Sequence, residues 1–194
     1  MDNIKRITRE INSQLISQNR DINSLIFLTT SQSKAQPTII ANLGIMYAHA
    51  KKKVVIVDTD FSTNVFSGAF DLKNERGLSD YLEGEASQNE ILQDVSNIGL
   101  SVVLAGTVRG QSSGYFINDP RFNSLLKQLI AENDYVFINT PKFVKIHDFQ
   151  NLFNITRNIV LVVNNTGDSK RNLLKMIDAC QEMNGNILGY ISAK

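Results

Sequence analysis

The chain has 194 residues, 42% of them hydrophobic, enough to bury one good core and short for two independent domains. Its 20 basic and 19 acidic residues leave a formal charge of +1, so no imbalance favours nucleic acid or an anionic membrane as partner. The single cysteine, Cys180, has no second thiol for a disulfide and no ligand cluster for a metal, which leaves packing as its expected role.

Residues 1–20 are polar and charged where a signal peptide needs an apolar core, and they read as an N-terminal helix. No later run approaches the roughly 20 apolar residues that span a bilayer, so the expected compartment is the cytoplasm. An apolar, β-branched run at 25–28 predicts the first buried strand, followed by a helical pattern over 37–50 and a second strand at 54–57. Residues 64–97 are the least regular; two short helices are expected there, at 78–82 and 88–92, in a stretch read as surface. A strand at 100–104, a helix over 119–131, strands at 135–138 and 159–163, and a helix over 169–183 come next. A last strand at 187–191 follows the Asn184-Gly185 turn signal. Strand and helix alternate, which predicts a single α/β domain over 1–194: a three-layer sandwich around a mostly parallel, doubly wound sheet of six or seven strands.

In such a sheet ligands sit at the carboxyl ends of the strands, so the segment after the first strand, TTSQSKAQPTIIANLG, is the first place to look for chemistry. A working phosphate loop reads G-x-x-x-x-G-K-[ST]: glycines let backbone N–H groups wrap the phosphates, the lysine reaches the outer ones, and the hydroxyl binds Mg²⁺. Those parts are missing here. Ser33 and Ala35 make positive φ costly, Gln36 carries no charge, and Pro37 supplies neither N–H nor hydroxyl. A plain strand-to-helix turn with proline as helix starter is the alternative reading.

Residues 29–44 resemble the first nucleotide loop and following helix of the bacterial tyrosine kinases of capsular and exopolysaccharide synthesis, a branch of the P-loop NTPases. Ala41-Asn42-Leu43 and Tyr47-Ala48 carry that likeness. The resemblance puts Ser33 and Ala35 at glycine positions, Gln36 at the phosphate lysine, Pro37 at the Mg²⁺-binding hydroxyl, and Thr38 where it is expected. Lys34 is the nearby cation that could reach a phosphate instead. VVIVDTDF resembles the second motif: Asp58 and Asp60 keep its D-x-D, and Ser62 stands where the family has arginine. DYVFINTPKF resembles the third motif, D-x-P-P, with Asn139 for the aspartate and Lys142 for the second proline. Asparagine hydrogen-bonds but brings no charge to hold a cation.

The likeness extends through SGAFDLKNERGLSDYLEGEAS, LAGTVRG, DPRFNSLLKQL and NILGYISAK. RGQSSGYFIN lacks the usual prolines, and Ala193 takes an asparagine's place. Asn3, Arg6 and Arg9 match the spacing of the family's E-x-x-R-x-x-R oligomerisation helix without its glutamate; a solvated basic helix edge is the other reading, and homo-oligomerisation stays open. The family's tyrosine-rich substrate tail has no counterpart before Lys194, and Tyr190 is expected buried in a strand.

The resemblance thus implies a pseudokinase-like protein with vestigial Asp58, Asp60 and Asn139, no cofactor, and a regulatory or scaffolding role. Its partners would be an active kinase homologue or the cytoplasmic tail of a transmembrane chain-length adaptor, which would also hold it at the inner face of the membrane. The alternative is an ATP-binding tyrosine kinase or ATPase that uses Lys34, with Asp58 and Asp60 for Mg²⁺. A partitioning-type ATPase is a third reading, disfavoured by the polysaccharide-family segments.

Overall fold

The computed structural model describes residues 9, 13, 22–32, 34–73, 76–107, 113–164 and 169–193. Among these residues seven strands form one sheet: β1 (Ser24–Thr29), β2 (Val54–Asp58), β3 (Leu92–Val95), β4 (Leu100–Val103), β5 (Tyr135–Asn139), β6 (Asn158–Asn164) and β7 (Asn186–Ala193). Their spatial order is β3-β4-β2-β5-β1-β6-β7, and every neighbouring pair is parallel except β3 with β4.

The apolar strand runs divide by parity, because successive side chains point to opposite faces of a sheet. Leu25, Phe27, Val54, Ile56 and Phe137 join one core, covered by α1 (Ala35–His49) through Ile39, Ile40, Leu43 and Tyr47, and by Phe66 of α2 (Val65–Phe70). Ile26, Leu28, Val55, Val57, Val136 and Ile138 join the other. That face is covered by α6 (Pro120–Glu132), α7 (Gln150–Ile155) and α8 (Lys170–Glu182), with α3 (Leu78–Glu83), α4 (Gln88–Ile91) and α5 (Ser113–Ile117) beside them. Burial of both strand faces is why these segments read as continuous apolar runs. Cys180 on α8 is fully buried in this second core, and burial pushes its thiol up to about 12, as a packing residue requires.

Several expectations need correction. The helix expected at 88–92 stops at Ile91, and the chain continues as β3, a four-residue antiparallel edge strand that pairs Leu92 with Val103. The stretch read as surface anchors both cores: Phe66, Leu78, Leu82 and Ile91 are almost wholly buried. α1 begins at Ala35, so Pro37 is the third helical residue rather than the first. It is tolerated there because N–H groups of the first turn have no intrahelical partner. Tyr190 is 73% exposed on the edge strand β7, not buried.

Candidate functional site

β1, β2 and β5 are adjacent in the sheet, and the β2–β5 register sets Asp58 directly beside Asn139. Both side chains therefore leave the same end of the sheet at the same height. The Asn139 Nδ2 donates to Asp58 Oδ1 at 2.8 Å. Gln36, one helical residue into α1, turns inward: its Nε2 donates to Asn139 Oδ1 at 2.9 Å and to the Thr140 carbonyl at 2.8 Å. Gln36, Asn139 and Asp58 are 2%, 3% and 1% exposed. The three motifs are thus joined by one buried chain of side-chain hydrogen bonds.

The surrounding loops are tied down by their own bonds. The Asn139 carbonyl accepts from the Thr59 N–H and hydroxyl, the Thr140 hydroxyl donates to the Phe27 carbonyl, and the Phe143 N–H donates to the Thr29 carbonyl. Asp58 Oδ1 takes a second bond from the Asp60 N–H at 3.0 Å. Burial pushes the Asp58 carboxyl up to about 7, although both hydrogen bonds pull the other way. Asp60 is spent on its own turn, where Oδ1 accepts from the N–H and hydroxyl of Ser62 and Oδ2 from the Thr63 hydroxyl. The Thr38 hydroxyl donates back to the Lys34 carbonyl at 2.6 Å, a local bond within the first turn of α1.

Above this buried row lies a cleft of about 430 Å³, lined among others by Ser31, Lys34, Gln36, Asp60, Asn139 and Lys142. Ser31 is a cleft residue that the motif templates do not mark. Of the loop residues singled out from sequence, Ala35 starts α1, and Lys34 is exposed before it with no side-chain cap bond. Arg9 is an exposed helical residue, whereas Asn3, Arg6 and Ser33 lie outside the described residues.

No family model matches the chain. Sequence comparison finds CapB of Staphylococcus aureus, which carries a tyrosine-protein kinase name, 26% identical over 188 residues that cover 96% of this chain and 82% of CapB. The tyrosine-protein kinase YwqD of Bacillus subtilis is 25% identical, with 95% and 77% covered. This chain is a homologue of the bacterial tyrosine-protein kinases. The tyrosine-kinase homologue also shares their fold: it matches the chimerical protein CapA2B2 with a TM-score of 0.87 at 23% identity, over 97% of this chain and 83% of that one. The kinase domain of Escherichia coli ETK matches with a TM-score of 0.83 at 20% identity, over 95% and 73%. A more distant likeness, with a TM-score of 0.70 at 18% identity over 88% and 70%, joins it to the septum site-determining protein MinD of Pyrococcus horikoshii. Among the described residues no helix is long and apolar enough to cross a membrane.

Proposed function

We propose that this tyrosine-kinase homologue is a non-catalytic regulator or scaffold of capsular or exopolysaccharide biosynthesis, which binds an active kinase or the cytoplasmic tail of its membrane adaptor. The observation that carries the reading is the buried Gln36–Asn139–Asp58 chain. Phosphoryl transfer relies on positioning and on cations set against the phosphates. The donor set here does not fit the Mg²⁺–ATP that the fold family implies. Gln36 is neutral and its amide nitrogen is held by Asn139 and Thr140, Pro37 offers neither N–H nor hydroxyl, and Asn139 has no charge for a cation. Burial holds Asp58 toward its protonated form and its Oδ1 is already bonded, while Asp60 is occupied by Ser62 and Thr63.

The second reading, an ATP-handling enzyme with a non-standard loop, draws on the open cleft and the exposed Lys34 and Lys142 beside it. Thermal unfolding with and without millimolar Mg²⁺–ATP separates the two, because a ligand that binds only the native state raises its melting temperature. The scaffold reading expects no shift, no phosphate transfer to tyrosine substrates, and capture by an adaptor tail or active kinase. A shift that grows with nucleotide concentration, accompanied by phosphotyrosine, overturns it.

A further inference from the structure

Among the described residues, two polar atoms at the cleft have no partner. Gln36 Oε1 and Ser31 Oγ are buried without a hydrogen bond, although their residues are only 2% and 9% exposed and both line the cleft. A buried acceptor left without a donor destabilises the fold until something bonds it. Gln36 cannot relieve it by flipping its amide, because its nitrogen is held by both Asn139 Oδ1 and the Thr140 carbonyl.

Two lysines line the cleft against one carboxylate, Asp60. Lys34 and Lys142 stand at the cleft, and among the described residues neither forms an ion pair. The acid of the cleft, Asp60, has both oxygens engaged by Ser62 and Thr63. α1 is a 15-residue helix whose first turn contains no acidic residue, so the positive end of its dipole faces the same space uncompensated. A ligand that satisfies the whole set is anionic, to meet the lysines and the helix end, and also carries a hydrogen-bond donor for Gln36 Oε1. A hydroxyl supplies that donor, and Ser31 Oγ can give or accept a second bond. The cleft volume of about 430 Å³ falls among small-molecule sites.

We infer that the cleft is a metal-independent site for a small hydroxylated anion, carboxylate or phosphate, held by Lys34 and Lys142 and selected through Gln36 Oε1 and Ser31 Oγ. The inference rests on the reading that Mg²⁺–ATP chemistry is lost here, since the neutral Gln36 and Asn139 that remove it also supply the new recognition. The site gives the scaffold a means to respond to a metabolite without hydrolysing nucleotide.

The test is amide NMR titration of the full chain, in EDTA, with sulfate, which has no hydrogen-bond donor, glycerol 3-phosphate and glycerate in separate arms. The expected result is saturable shifts around residues 31–36 and 139–142, with at least one hydroxylated anion tighter than sulfate by about tenfold, roughly the value of one hydrogen bond. Lys34→Ala with Lys142→Ala, both exposed positions, is expected to weaken binding about tenfold or more. Gln36→Met is expected to abolish the preference for the hydroxylated ligand while leaving residual anion binding. The arms also identify the acid: response to glycerate alone assigns a carboxylate site, and response to glycerol 3-phosphate alone a phosphate site. No shift with any of the three, equal affinity for sulfate, or unchanged affinity in the double lysine variant each overturns the inference. Binding of ATP only when Mg²⁺ replaces EDTA overturns instead the reading on which it rests.

Discussion

Asp58 is a carboxyl group that the fold keeps at a cost. Its folded-state value near 7 lies above the roughly 3.9 of an unfolded aspartate, so the native state binds its proton more tightly than the unfolded chain. Stability from this group is therefore complete below about pH 4, falls as pH rises toward 7, and stays lost above it. Each pH unit within that window is worth about 1.4 kcal/mol. Exposed carboxylates held low, such as Glu90 and Asp134, work in the opposite sense, so the informative quantity is the difference between wild type and Asp58→Asn. In denaturant unfolding from pH 4 to 8, that variant is expected to gain on wild type as pH rises, with the difference levelling off above pH 7. A pH-independent difference contradicts a buried, proton-retaining Asp58. The changes of residue type in this site were legible from the motif templates, which mark Gln36 and Asn139 as neutral where charge is expected. The inward turn of Gln36 was not, because it depends on the β2–β5 register that brings Asn139 beside Asp58, and register is a property of paired strands rather than of either segment.

Between elements, backbone hydrogen bonds join the start of α3 to the segment after β4. The Leu78 and Ser79 N–H groups donate to the carbonyls of Leu104 and Ala105, and the Asp80 carboxylate reaches back to the Gly77 N–H. A Cβ at Gly77 would run into the Gly106 nitrogen, a backbone atom that cannot swing aside as a side chain would. Gly77→Ala is therefore expected to destabilise the fold by about 2 kcal/mol or more, through forced backbone displacement. Gly68→Ala in α2, with open space around its Cβ, is expected to be neutral or stabilising by up to about 1 kcal/mol. Urea unfolding of the two variants with unchanged slope checks the contrast, and equal effects would remove the steric account. The same region shows where sequence stops short. Runs such as Val54–Asp58 and Tyr135–Asn139 declare themselves as strands because both faces are buried. By contrast, β3 has four residues, LQDV, with only Val95 buried, too short and too polar to show a period. Helices of four to six residues, such as α2 and α5, likewise complete too few turns to display an apolar stripe, and Phe66 looks like a lone exposed aromatic until the core closes over it.

For the molecule as a whole, the likeness to kinase domains is spread over the entire sheet and its helices, with 97% of the chain superposing on CapA2B2. The departures that bear on nucleotide chemistry are instead gathered at one row of strand ends. On the scaffold reading, the proposed loss of nucleotide binding is a local property and can be put back locally. Restoring the motif residues that the resemblance assigns, as Ser33→Gly, Ala35→Gly, Gln36→Lys, Pro37→Ser and Asn139→Asp in one chain, returns the lysine, the Mg²⁺-binding hydroxyl, the loop glycines and a second acid beside Asp58. The changes must be made together. Gln36→Lys alone would bury a cation against a neutral Asn139, and Asn139→Asp alone would place a second carboxylate against Asp58, so neighbours in this network do not contribute additively. The combined variant is expected to gain stabilisation by Mg²⁺–ATP of about 2.7 kcal/mol at a ligand concentration 100 times its Kd. For a chain of this length that amounts to a rise in melting temperature of roughly 5–10 °C, while wild type stays unmoved in the same buffer. A combined variant with native circular dichroism and no response to nucleotide would place the lost function in the frame itself, outside the row of residues that joins Gln36 to Asp58.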